Sequence, residues 1–234
     1  MIEVQGISKN FGKHQILRDL SISFSSHSRI ALIGPSGSGK TVLLRSILGL
    51  ESIEAGTIKA DRSRLSVCIQ NQSLLPWLTV WQNLRAVSGA PDEVLQRELD
   101  SVGLGSFHSH FPQQLSGGMQ QKLNLIRAFL PQPKVLLMDE PFAHLDHAQK
   151  LELYDLTKIY LAKNACGMLL VTHDVDEALL LGREIWLAGR SPMQIVERID
   201  SPVKDIASIR ALHLHPEYPA LFERVLAHLR GERS

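Results

Sequence analysis

Only two cysteines, Cys68 and Cys166, occur in 234 residues, and they lie far apart. That excludes a disulfide framework or a cysteine metal cluster and leaves buried thiols in a reducing cytoplasm as the expectation. Charge of one sign is not in excess either: 25 Lys and Arg stand against 24 Asp and Glu, a formal net charge of +1. No overall field therefore favours nucleic acid or an anionic membrane, and any membrane contact must come through a partner or a local patch. Long hydrophobic runs are missing. The longest, such as Val135 to Met138 and Ala178 to Leu181, fall well short of a membrane span. Met1 to Lys13 holds no apolar signal-peptide core, and no repeat, low-complexity tract or Gly/Ser linker interrupts the chain. At 44% hydrophobic residues the chain can still bury a real core, so a cytosolic globular protein is expected.

What is present reads as layered α/β structure. The first sixty residues read as short strands, with Leu20, Ile22 and Phe24 alternating with serines as a half-buried strand should. Ile30 to Ile33 is an apolar run ending at a glycine, and Val42, Leu43, Ile47 and Leu48 then fall at helical spacing up to Gly49. Strands are also expected at Leu65 to Ile69, Val135 to Met138 and Gly167 to Thr172, with an amphipathic helix around Leu151 to Leu161. Between Val80 and about Leu130 the pattern is helical. Pro91 suits a helix start there, and Val94, Leu95, Leu99 and Val102 share one face. From about Ile206 a C-terminal helix or two is expected.

Gly34-Pro35-Ser36-Gly37-Ser38-Gly39-Lys40-Thr41 fits G-x-x-x-x-G-K-[ST] in full. Its glycines let successive backbone N–H groups point at phosphate oxygens, and the following helix adds its positive N-terminal end. Lys40 would neutralise the β- and γ-phosphates, and Thr41 would offer its hydroxyl to Mg²⁺. This loop alone predicts nucleoside triphosphate binding, shared by kinases, GTPases and many ATPases. Val135 to Met138 leads into Asp139 and Glu140, an apolar strand ending in two acids. Neighbouring side chains on a strand face opposite ways, so both acids serve one site only if the strand stops, and Pro141 supplies the stop. Asp139 would then hold Mg²⁺, and Glu140 would polarise the water that attacks the γ-phosphate.

Leu115-Ser116-Gly117-Gly118-Met119-Gln120-Gln121, beginning twenty-four residues ahead of Asp139, resembles the signature motif of ABC-type ATPases. The resemblance runs from about Ile2 to Ile199. It implies a P-loop NTPase core with an N-terminal antiparallel β subdomain, in which residues of about 1–79 and 131–200 bind ATP. It also implies a helical insert over about 80–130 and a helical tail over about 201–234. Ser116, Gly117, Gly118 and Gln120 would address the ATP held by the other subunit of a head-to-tail homodimer. Gln70 resembles the Q-loop glutamine, a sensor of Mg²⁺ and attacking water, and His173 the switch histidine at the γ-phosphate. Asp146 resembles the D-loop aspartate at the dimer interface. Phe11 sits where an aromatic ring stacks on adenine, and Phe supplies the ring face that requires. Ala143-His144 replaces the usual small residues before Leu145-Asp146, Lys122 stands where Arg is frequent, and His27-Ser28 replaces a common Gly-Glu. None of these removes a catalytic group.

Leu74-Leu75-Pro76-Trp77-Leu78-Thr79-Val80 resembles the importer subfamily for nitrate, sulfonates, taurine and related solutes. That implies transmembrane permease partners, a solute-binding protein, and a peripheral place on the cytoplasmic face of the membrane. Trp77 either meets the permease or packs in the core. The histidine pairs His108/His110 and His213/His215 lack a companion Cys or acid at ligand spacing, so surface positions are expected. Two other functions use a phosphate loop. A small-molecule kinase would need an acceptor pocket and have no use for Leu115 to Gln121. A soluble ABC protein of translation or DNA repair would carry two nucleotide domains, a coiled-coil insert or zinc cysteines.

Overall fold

The computed structural model describes residues 1–69 and 74–231. Six strands form its central sheet: β3 (Arg29–Ile33), β5 (Leu65–Ile69), β6 (Val135–Asp139), β7 (Gly167–Thr172), β8 (Glu184–Ala188) and β9 (Ile195–Asp200). Their order is β5-β6-β7-β3-β8-β9, parallel throughout except for β9, which runs antiparallel to β8 at the edge. β8 and β9 go beyond the strands expected from sequence.

The sheet is buried on both faces, which is why its strands are unbroken apolar runs. Ile30 and Leu32 of β3, Val135 and Leu137 of β6, and Leu169 and Val171 of β7 join one core. Ala31 and Ile33, Leu136 and Met138, and Met168 and Leu170 join the other. The first core is closed by α1 (Lys40–Leu48) and by a three-stranded antiparallel sheet, β2-β1-β4, of β1 (Ile2–Phe11), β2 (His14–Phe24) and β4 (Ala55–Lys59). β1 and β2 are ten and eleven residues long rather than short. Their pairing shifts register between Val4 and Ile7 and again between Ile7 and Asn10. These bulges break the period of two that sequence reading relies on.

On the other face lie α5 (His147–Lys163) and α6 (Val175–Leu181), together with the helices of residues 80–129: α2 (Val80–Arg85), α3 (Asp92–Ser101) and α4 (Gly117–Phe129). Pro91 occupies the N-cap of α3, and Leu95, Leu99 and Val102 are buried with the sheet-facing residues in one cluster. Cys68 and Cys166 are both buried free thiols, and burial pushes Cys68 up to about 12. The chain ends in α7 (Ile209–His213) and α8 (Tyr218–Arg230). Both are tied to α6 through Asp176, which accepts from Tyr218 at 2.8 Å and lies 3.1 Å from His213 Nε2. Among the described residues no helix is long and apolar enough to cross a membrane.

The segment Leu74 to Thr79 enters α2 through a capping box, in which Thr79 Oγ1 accepts from Gln82 N and Gln82 Oε1 from Thr79 N. Fully buried Asn83 holds it from within. Its Oδ1 accepts from Leu75 N, and its Nδ2 donates to the carbonyls of Leu75, Leu78 and Thr79 at 3.0–3.1 Å. So held, Trp77 projects outward and is 70% exposed, which excludes core packing. Asn83→Leu keeps the branching and the number of heavy atoms and removes these bonds. Calorimetry is expected to give a cost of about 2 kcal/mol and a melting temperature lower by roughly 4–8 °C. An unchanged melting temperature would mean that water or backbone replaces the clamp.

Candidate functional site

In the central sheet β6, β7 and β3 are adjacent and parallel, with Asp139 opposite Val171 and Thr172 opposite Ile33. Their carboxyl ends therefore open at one level, the place where open parallel sheets gather ligand-binding turns. The turn after β3 carries the glycine-rich loop, that after β6 the two acids, and that after β7 the histidine.

The loop is shaped by backbone constraints. Gly39 has φ +111, and a Cβ there would lie 2.9 Å from Ile16 Cγ2, so no other residue fits without strain. At Gly34 a Cβ would sit 2.7 Å from the Ala188 carbonyl oxygen. Lys40 opens α1 and is only 5% exposed. Its ammonium lies inside the curl of the loop, donating to the carbonyls of Gly34 and Pro35 at 2.8 Å and to Ser38 Oγ at 3.4 Å. Burial lowers its pKa, against the raising pull of Glu140 and Asp139. A desolvated cation at a helix start is poised for anionic oxygens.

Thr41 Oγ1, on the next residue, donates to Asp139 Oδ1 at 3.2 Å. Burial raises the Asp139 carboxyl; the Thr41 bond opposes that, while the charge of Glu140 adds to it. A hydroxyl and a carboxylate thus converge beside a second acid, a hard-oxygen donor set with charge to neutralise, which fits Mg²⁺. Gln70, the third expected metal contact, lies outside the described residues.

Glu140 leaves the strand in a left-handed conformation, φ +45, with its N–H donating to the Val171 carbonyl at 2.9 Å. Held so, a non-glycine residue costs of order 1–3 kcal/mol, and such strain is concentrated at functional sites. This turn ends the strand alternation that would otherwise send the two acids to opposite faces. Glu140 Oε1 reaches His173 Nδ1 at 3.2 Å. The turn is also held by buried Gln121, whose amide donates to the Pro141 carbonyl. Gln121 was visible in sequence only as part of the signature motif.

The remaining expected residues sit apart from this cluster. Phe11, at the β1–β2 hairpin, is 47% exposed, with Lys9 Nζ 5.1 Å from its ring centroid. Two residues beyond the hairpin, Ile16 touches the loop at Gly39, so the hairpin borders the glycine-rich loop. Ser116 caps α4, accepting from Met119 N at 3.3 Å. As the first two residues of α4, Gly117 and Gly118 have N–H groups with no partner in the helix's own ladder. Ser116 and Gly117 are exposed, Gly118 is buried against Gln149, and Gln120 turns inward to the Leu115 carbonyl at 3.1 Å. Exposed Asp146 caps α5 by accepting from Gln149 N at 2.9 Å. His144, in the altered stretch before it, has φ +63, a region His tolerates better than most residues.

Comparison with known proteins agrees with this geometry. Residues 17–143 match the family described as ABC transporter. The aliphatic sulfonates import ATP-binding protein SsuB 2 of Pseudomonas syringae pv. tomato is 36% identical over 193 residues, 82% of this chain and 83% of that protein. The taurine import ATP-binding protein TauB of Yersinia pestis bv. Antiqua is 34% identical, covering 100% of this chain and 99% of that protein. A dimeric ATP-binding cassette in a post-hydrolysis state, bound to ADP and Pi, has the same fold. It gives a TM-score of 0.72 at 23% identity over 86% of this chain and 98% of its own. With the glycine-rich loop, the two acids and the histidine gathered at one sheet edge, the chain belongs to the ABC transporter family as one of its ATP-binding, ATP-hydrolysing subunits.

Proposed function

We propose that this chain works as a homodimer beneath a membrane permease, powering import of a sulfonate, taurine, nitrate or a related small solute. The observation that carries the catalytic part is the contact between Glu140 and His173 beside Lys40, Thr41 and Asp139. Lys40 and the backbone N–H groups of the loop from Ser36 to Thr41 hold the phosphates of ATP, with Gly34, Pro35, Ser36, Gly37, Ser38 and Gly39 shaping the curl. Phe11 stacks on adenine. Thr41, Asp139 and Gln70 would hold Mg²⁺, which would neutralise phosphate charge.

Glu140 accepts a proton from water as its oxygen attacks the γ-phosphorus and the bond to ADP breaks. His173 fixes the Glu140 carboxylate and reaches the γ-phosphate. Across the dimer, Ser116, Gly117, Gly118 and Gln120 of one subunit complete the site holding the other's ATP, and Asp146 lies at the interface. Support for this comes from the exposure of Ser116, Gly117 and Asp146 in the single chain. Residues of about 1–79 and 131–200 form the ATP-binding core, about 80–130 the helical insert, and about 201–234 the tail.

The solute class rests on the sulfonate and taurine import relatives. The exposed Trp77 supports permease docking, since exposed aromatics on a rigid support make strong interface anchors. A solute-binding protein and a place on the cytoplasmic membrane face complete the assembly.

Glu140→Gln is expected to bind ATP with near-normal affinity and to hydrolyse it roughly 10²–10⁴-fold more slowly, measured by equilibrium dialysis and phosphate release. Normal turnover would remove Glu140 as the base. Release of a phosphorylated acceptor in place of free phosphate would favour a kinase. Trp77→Ala is expected to leave the ATPase of the isolated chain unchanged and to weaken permease association by about 2 kcal/mol or more. Undiminished co-purification with the permease would take Trp77 out of the interface.

A further inference from the structure

Beneath the exposed histidine lies a buried polar network that the hydrolysis chemistry does not use. Glu177, on the first turn of α6, is only 2% exposed. Its Oε2 accepts from Thr172 Oγ1 at 2.6 Å, and its Oε1 accepts from Lys150 Nζ and from Tyr154 Oη, each at 3.1 Å. Lys150 donates as well to Asp174 Oδ2 at 2.8 Å. Asp174 caps α6 by accepting from Glu177 N at 3.2 Å, and its own N–H donates to Thr172 Oγ1 at 3.0 Å.

These bonds enclose His173 in the chain. The residue before it, Thr172, is the last of β7, almost fully buried, and its hydroxyl both donates to Glu177 and accepts from Asp174. The residue after it, Asp174, is fixed by Lys150 and by the start of α6. Both flanks of His173 are therefore pinned to Glu177, Thr172 to its carboxylate and Asp174 to its backbone N–H with Lys150 bridging the two acids, while the histidine ring stays exposed and meets Glu140 at 3.2 Å. Lys150 brings in a third element. It lies one turn into α5, and its N–H donates to the carbonyl of Asp146, the residue that caps that helix.

A buried carboxylate is costly unless its donors are in place. Burial and the nearby Asp174 raise the Glu177 carboxyl, and Thr172 and Lys150 oppose that. Such an arrangement has one favourable geometry, and departures from it leave a desolvated acid short of donors.

We infer that Thr172, Glu177 and Lys150 are positioning residues for His173, locking its imidazole against Glu140 and tying that lock to the helix that begins at Asp146. This rests on the role given to His173 above. Held by both neighbours, the ring needs no reorganisation when the γ-phosphate arrives, and misplacement of about 1 Å at such a group costs up to roughly a hundredfold in rate.

The test is steady-state ATP hydrolysis by the full chain, with kcat and KM read separately. Thr172→Val keeps shape and β-branching but can neither donate to Glu177 nor accept from Asp174. It is expected to lower kcat roughly tenfold or more with KM for ATP changed by less than about twofold. Thr172→Ser restores the hydroxyl and is expected to recover most of kcat. In a His173→Ala background, Thr172→Val is expected to cause no further loss, because it acts through a ring no longer there. Lys150→Met, on the more accessible side, repeats the measurement should the buried variant fold poorly, with the same expected split. An unchanged kcat in Thr172→Val and Lys150→Met, or losses that multiply with His173→Ala, would overturn the inference while leaving His173 its role. Full activity in His173→Ala alone would instead overturn the role of His173, and this inference with it.

Discussion

Parallel pairing of β6, β7 and β3 is the constraint on which the rest of the molecule depends. It sets Asp139 against Val171 and Ile33 against Thr172, so three turns far apart in the chain open side by side. No one of those turns is a site. The lysine loop offers a buried cation, the two acids repel one another, and a lone histidine commits to nothing. Stacked at one edge they form a cation beside two carboxylates, with the second carboxylate held by an imidazole. The sheet can keep this register because it is buried on both faces, where a slip of one residue would exchange the two cores.

The same alignment imposes a local cost at Glu140. A continuing β6 would carry Glu140 to the face opposite Asp139. The left-handed turn at φ +45 resolves this, secured by the bond to Val171 and by Gln121 on Pro141. Strain is tolerated there because β7 and α4 over-determine the turn. This is one way a fold brings two neighbouring acids of one strand to the same side.

Much of this was legible in the chain itself. Two-sided burial wrote the apolar runs at Ile30 to Ile33, Val135 to Met138 and Gly167 to Thr172, and the glycine-rich loop carries its own geometry in its spacing. Pro141 announced the end of β6, although not the handedness of the turn. The length of β1 and β2 was hidden because bulges reset their alternation. Asn83, Thr172 and Glu177 were hidden for another reason: their work depends on partners brought near by the fold. A faint signal existed, since Thr79 with Gln82 and Asp174 with Glu177 both have capping-box spacing. For Trp77 the sequence favoured a permease-facing position but left core packing open, and only the Asn83 clamp, unseen in sequence, decides for exposure.

The central claim is that each ATP is held by the loop of one chain and closed over by Ser116 to Gly118 of another. Sedimentation of the Glu140→Gln chain with and without ATP tests it most directly, alone and combined with Ser116→Arg. The account predicts an ATP-dependent dimer for the single variant and a monomer that still binds ATP for the double. An ATP-bound dimer of equal strength in both would contradict it.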